Sequence, residues 1–87
     1  MKKVYMTAKT IERVQSRIYK TEAEAIAEME RRNAEAREMH KAMYPRQTPE
    51  QVEWLDEMLW HVNAAYSYQT HEFVGYIVNN GWNGGQD

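Results

Sequence analysis

With 87 residues the chain is long enough for one domain and too short for two, and a domain of this size buries only about two thirds of its unfolded surface around a thin core. Hydrophobic residues make up 43% and charged residues 28%, a balance that excludes a wholly disordered chain. The absence of cysteine excludes disulfides and thiolate metal sites, and no apolar run approaches the ~20 residues of a membrane span.

Met1-Lys2-Lys3 leads straight into a strand pattern, without a signal-type apolar segment, so a cytosolic protein without membrane contact is expected. The formal net charge of −2 hides a gradient. Residues 1–20 carry Lys2, Lys3, Lys9, Arg13, Arg17 and Lys20 against Glu12 alone, whereas residues 47–62 carry Glu50, Glu53, Asp56 and Glu57 with no Lys or Arg. A bipolar but mainly solvated surface is expected.

In chain order, Val4, Met6 and Ala8 alternate with Tyr5 and Thr7, which predicts a first strand. From Arg13 to Tyr19 the alternation resumes, with Val14, Ser16 and Ile18 on one face, and predicts a second. Thr21 to Met43 contains no Gly or Pro, opens with a Thr21/Glu24 capping box and repeats Ala25, Met29, Ala36, Met39 and Met43 at helical spacing, so it reads as one long helix. Arg32 lies near the centre of that stripe, beside Asn33 and His40, and has to reach water or a carboxylate. Pro45 ends the helix. Thr48, Pro49 and Gln51 then open a second helix, predicted to run from Pro49 to Val62 with Val52, Leu55, Leu59 and Val62 as its core seam. The short link between the two helices predicts an antiparallel hairpin.

The aromatic and β-branched residues from Tyr66 to Val78 predict a third strand, although the seam also extends through Tyr66, Phe73 and Ile77 as one helix to about Asn80. The reading adopted is an α+β domain over residues 1–78, of order ββααβ. Its three-stranded sheet has the first strand central and the helical hairpin on one face. Residues 79–87 form a flexible tail that carries Trp82. The alternative is a mostly α protein, a long helical hairpin.

No catalytic or cofactor pattern emerges. His40, His61 and His71 do not fall into a ligand motif, and the Glu57/His61 pair at i,i+4 reads as an ordinary helix contact rather than a metal site. Ser16 and Ser67 lack a nucleophile-elbow context, and Gly81, Gly84 and Gly85 precede no helix that could receive a phosphate. A non-enzymatic protein without cofactor or metal is expected.

Two kinds of binding surface remain. Lys3, Tyr5, Arg13, Arg17 and Tyr19 on the outer parity of the first two strands form a basic and aromatic mixture suited to nucleic acid. The chain as a whole is acidic, however, with a pI near 5.9, so no tight direct binding to DNA or RNA at physiological salt is expected. The chain also holds three Trp, six Tyr and six Met, more than a thin core can hide. Trp54 points away from the seam, with Met58 and His61 beside it at i+4 and i+7 and Glu53 and Glu57 as a charged rim. This face fits a partner macromolecule, or a second copy of the chain in a homodimer. Glu50, Glu53, Asp56 and Glu57 together form a weak phosphate-like array.

The succession of a Lys-led strand (KKVYMTA), a strand running into a Thr-capped Glu/Ala helix (RIYKTEAEA) and a late Tyr-rich strand (YSYQTHEF) resembles small phage-encoded accessory proteins. The second helix, Pro49 to Val62, departs from that pattern, so no functional residue is carried over. The resemblance implies a compact protein, acting in the host cytoplasm, that binds and inhibits host machinery such as a nuclease or defence ribonucleoprotein complex, as anti-CRISPR proteins do.

Overall fold

Three threonines cap three helices, and those caps decide much of the local structure. Thr7 accepts the backbone N–H of Thr10, Thr21 that of Glu24 and Thr48 that of Gln51, and each helix starts at the next residue. The computed structural model describes residues 1–80, as β1 (Lys3–Met6), α1 (Ala8–Arg13), a 3₁₀ turn (Gln15–Arg17), α2 (Glu22–Met43), α3 (Pro49–Met58), β2 (Trp60–Ser67) and β3 (Phe73–Asn80). The class is α+β, with one three-stranded mixed sheet. Its order is β1-β2-β3, parallel between β1 and β2 and antiparallel between β2 and β3. Among the described residues no helix is long and apolar enough to cross a membrane.

The long helix matches the predicted one, but the strands come from partly different segments. The expected second strand, Arg13 to Tyr19, is absent as such: α1 and the 3₁₀ turn occupy the segment up to Arg17. Ile11, Val14 and Ile18 recur at steps of three and four, so Val14 and Ile18 satisfy a helical as well as an alternating pattern, and the Thr7 cap selects the helical one. Ile18 and Tyr19 are extended, and Tyr19 exchanges two 2.8 Å backbone hydrogen bonds with Tyr76 on the outer edge of β3.

The second helix stops at Met58 rather than Val62, because Leu59 is extended and the following residues alternate as β2. Ala64 and Ala65, weak strand formers, concealed that strand. The single strand expected over residues 66–78 is therefore the end of β2, a turn and most of β3, parts of one hairpin. Its turn, Tyr68 to Glu72, contains no glycine and puts His71 at a left-handed φ of 62°. β2 rather than β1 is central. Asn79 and Asn80 belong to β3, and Trp82 with the rest of the expected tail lies outside the described residues.

The helices do not share one face of the sheet. Ile11, Val14 and Ile18 pack on Val4, Met6, Ala65, Val74 and Ile77, forming the main core on one side. Tyr19, one residue after Ile18, sends its hydroxyl to Glu28 of α2 on the other side. α2 crosses that second face, and then its C-terminal half leaves the sheet and carries α3, which packs against α2 rather than against the strands. The molecule measures 48 Å along its longest axis, against 22 and 21 Å across.

Two polar clamps set the course of α2. Trp60 lies beyond the end of β1, with its N–H and C=O facing the side where no strand continues. The Asn33 side chain accepts from that N–H at 2.6 Å and donates to that C=O at 3.2 Å. His40, 1% exposed, donates Nε2–H to the Gln51 carbonyl of α3 and accepts at Nδ1 from the Gln47 amide.

Asn33→Ala strips both partners from the Trp60 backbone and is expected to cost about 1–3 kcal/mol for each group left unpaired. Gly75 supplies a second check. A Cβ there would meet Ile18 Cγ2 at 2.6 Å and the Tyr19 carbonyl oxygen at 2.8 Å. Gly75→Ala is therefore expected to destabilise by about 1–3 kcal/mol. Thermal denaturation should show a midpoint lower by about 4–8 °C for each kcal/mol lost.

Candidate functional site

The surface expected on the second helix is only partly assembled. Trp54 and its neighbours Glu50, Glu53 and Glu57 are exposed on α3, and among the described residues no α3 carboxylate is held in an ion pair. Met58 is buried, and His61 belongs to β2, so neither continues the Trp54 face. The i,i+4 spacing of Glu57 and His61 is not a helical one. Trp54 itself stands edge-on to Tyr44 with centroids 5.7 Å apart, and Tyr44 rests on His40 at 5.2 Å, so one side of the indole is braced against α2. Met39, Met43 and Val52, expected in the stripe and the seam, are about half exposed on the same arm. The arm presents apolar side chains because α3 is too short and too far from the sheet to cover both flanks of α2.

Where α2 crosses the sheet it carries a charged cluster. Glu28 accepts from Arg31 Nε at 2.6 Å and from the Tyr19 hydroxyl at 3.1 Å, and Arg31 also reaches Glu35 at 2.8 Å. Arg32, the guanidinium expected to need a carboxylate, lies 3.7 Å from Glu28 and stacks over the Trp60 ring at 4.5 Å. Burial pushes the Glu28 carboxyl up, but the Arg31 hydrogen bond, the Tyr19 hydroxyl and both guanidinium charges outweigh it and hold its pKa below the ordinary 4.5. Burial, and then the Glu28 carboxylate, push the Tyr19 phenol above 10.0.

The nucleic-acid candidates are split by the sheet. Lys3 and Tyr5 lie on β1, Arg13 and Arg17 belong to the α1 layer on the opposite face, and Tyr19 is engaged with Glu28. In their place the fold assembles a constellation that crosses all three strands. Tyr5 of β1 lies 5.8 Å from Tyr66 of β2, Tyr66 lies 5.6 Å from Phe73 of β3, and Phe73 lies 5.2 Å from Tyr76. His71 approaches Tyr5 at 5.6 Å, and the Lys3 ammonium sits 5.2 Å from the centroid of Tyr66. A bulge at Ala65/Tyr66 pairs Tyr66 with Phe73 and so puts Phe73 into the row. Of this set only Lys3 and Tyr5 stood out in the sequence, because the row depends on strand order and on the bulge. No group of three metal-ligating side chains occurs among the described residues.

The Glu28 cluster makes stability depend on acid. A carboxyl with a depressed folded-state pKa contributes stability that is complete above its unfolded value of 4.5 and is lost as pH falls through the lower folded value. Chemical denaturation between pH 7 and pH 2.5 should therefore show a decline below about pH 4.5. That decline should be shallower in Glu28→Gln.

No protein-family model, no curated protein and no solved structure matches this chain.

Proposed function

We propose that this chain is a non-enzymatic protein-interaction module of the kind made by phages or mobile elements, and that it inhibits a host nuclease or defence complex by docking on it. The observation that carries this reading is the arm. α3 projects beyond the sheet with Trp54 41% exposed among Glu50, Glu53 and Glu57, all without a cationic partner among the described residues. A braced aromatic ring loses little freedom on binding, which favours it as an anchor, and unpaired carboxylates around it favour a basic partner surface. Nuclease and ribonucleoprotein channels are such surfaces. Met39 and Met43, more than half exposed elsewhere on the arm, add side chains that adapt to a partner's shape.

The reading is tested by affinity capture from host lysate, with the unaltered protein compared with Trp54→Ala and with a Glu53→Lys/Glu57→Lys double variant. Recovery of a nuclease or defence complex is expected to fall at least about tenfold in both, the scale of an interface hot spot. Unchanged recovery with folded variants would remove the arm from consideration. A dimer in sedimentation that Trp54→Ala dissolves, with no host partner recovered, would make the arm a self-association surface.

A further inference from the structure

The α2 helix leaves a part of its own sheet face uncovered. It is braced on that face at Tyr19 and at Trp60, and the aromatic row lies beyond it, with Tyr5 and Phe73 each 49% exposed. Four rings in continuous contact across three strands, turned partly to water, are more than this thin fold needs for its own packing. We propose that this row is a stacking platform for single-stranded nucleic acid, with the half-exposed Tyr5 and Phe73 receiving bases, Tyr66 and Tyr76 backing them, and Lys3 placed for a backbone phosphate.

Chemistry favours this occupant over a peptide. Every base offers a π-face to an aromatic ring, so a row of rings takes successive bases without reading sequence. The successive centroid separations of 5.2–5.8 Å extend the row over the length of a few nucleotides. The rings are tilted against one another by 36–72°, so their faces do not close on each other in a parallel stack. The charge is complementary too. Lys3 is held over the Tyr66 ring, which places a cation at the β1 end of the platform. Duplex DNA or RNA presents its bases edge-on in grooves and cannot stack on such a surface, so the platform selects single strands.

The acidic net charge sets the form of the binding. With one phosphate neutralised, affinity comes chiefly from stacking and changes little with salt, the logarithm of the association constant falling against the logarithm of salt concentration with a slope of roughly −0.7. This surface is separate from the Trp54 arm, and the two activities are independent.

The test is fluorescence anisotropy with a labelled oligothymidylate of about ten nucleotides, an oligouridylate of the same length and a matched duplex, at two salt concentrations. Micromolar binding of both single strands, little binding of the duplex and a shallow salt slope are expected. Phe73→Ala and Tyr5→Ala, at half-exposed positions that the fold tolerates, should each weaken binding about tenfold, the order expected for loss of one stacked base. Phe73→Leu, which keeps apolar bulk but removes the ring, should weaken it similarly. Phe73→Tyr should retain it, and Trp54→Ala should leave it unchanged. Three outcomes would overturn the proposal: absence of single-strand binding at about 100 µM protein, equal affinity for the duplex, and affinity insensitive to both alanine variants while circular dichroism shows them folded. Loss of a captured protein partner in these variants, with no oligonucleotide bound, would make the row a protein interface and likewise overturn it.

Discussion

The contact between the Asn33 side chain and the Trp60 backbone is the interaction on which the arrangement of the other elements depends. β1 pairs with β2 from Ala64 onward, which leaves the start of β2 with peptide groups that face no strand. A carboxamide carries the same donor and acceptor as a peptide group, so Asn33 supplies a partner that a strand would have supplied. The contact also locates α2. One half of the helix is committed to the sheet and the other half to the arm, and the boundary between them is a residue whose buried amide is satisfied in only this placement. An apolar residue at position 33 would bury as much surface without selecting a register.

Polar contacts of this kind recur at the base of the arm and within it. Asn80 donates to the Met58 carbonyl at the end of α3, and His40 donates to the Gln51 carbonyl within it. The main core, by contrast, is wholly aliphatic and lies on the other face of the sheet, under α1 and the 3₁₀ turn. The two faces are thus stabilised by different physics. Apolar burial, at roughly 25 cal/mol per Å², dominates under α1, while directional hydrogen bonds that cost most when broken orient α2 and α3. Orientation matters more than strength for an arm whose exposed side is Trp54 and a set of carboxylates.

The parts of this architecture that were legible in the sequence are those written in local chemistry. The Thr21 and Thr48 caps located the starts of the two principal helices, Pro45 marked the end of the first, and Arg32 announced a partner, which proved to be Glu28 and Trp60. Where two periods share the same residues, the sequence left the outcome to tertiary contacts. Val14 and Ile18 fit both a strand and a helix, and Leu59 and Val62 fit both the end of α3 and the start of β2. The turn after Ser67 has no glycine, because His71 accepts the left-handed conformation in its place. The aromatic row was hidden for a different reason. Its members come from three strands whose order and bulge no local pattern encodes, and Phe73 joins it only because one residue of β3 is extra.

The order of the sheet has a kinetic consequence. β2 and β3 are joined by a five-residue turn, so their antiparallel pairing closes a short loop, whereas β1 reaches β2 only across α1, α2 and α3. Loop-closure entropy has to be spent before the β1 contacts form, and β1 is only four residues long. The hairpin therefore orders first, and docking of β1 follows once α2 has been seated. That places the parallel pair late in folding and makes the β1 amides the first in the sheet to exchange with solvent.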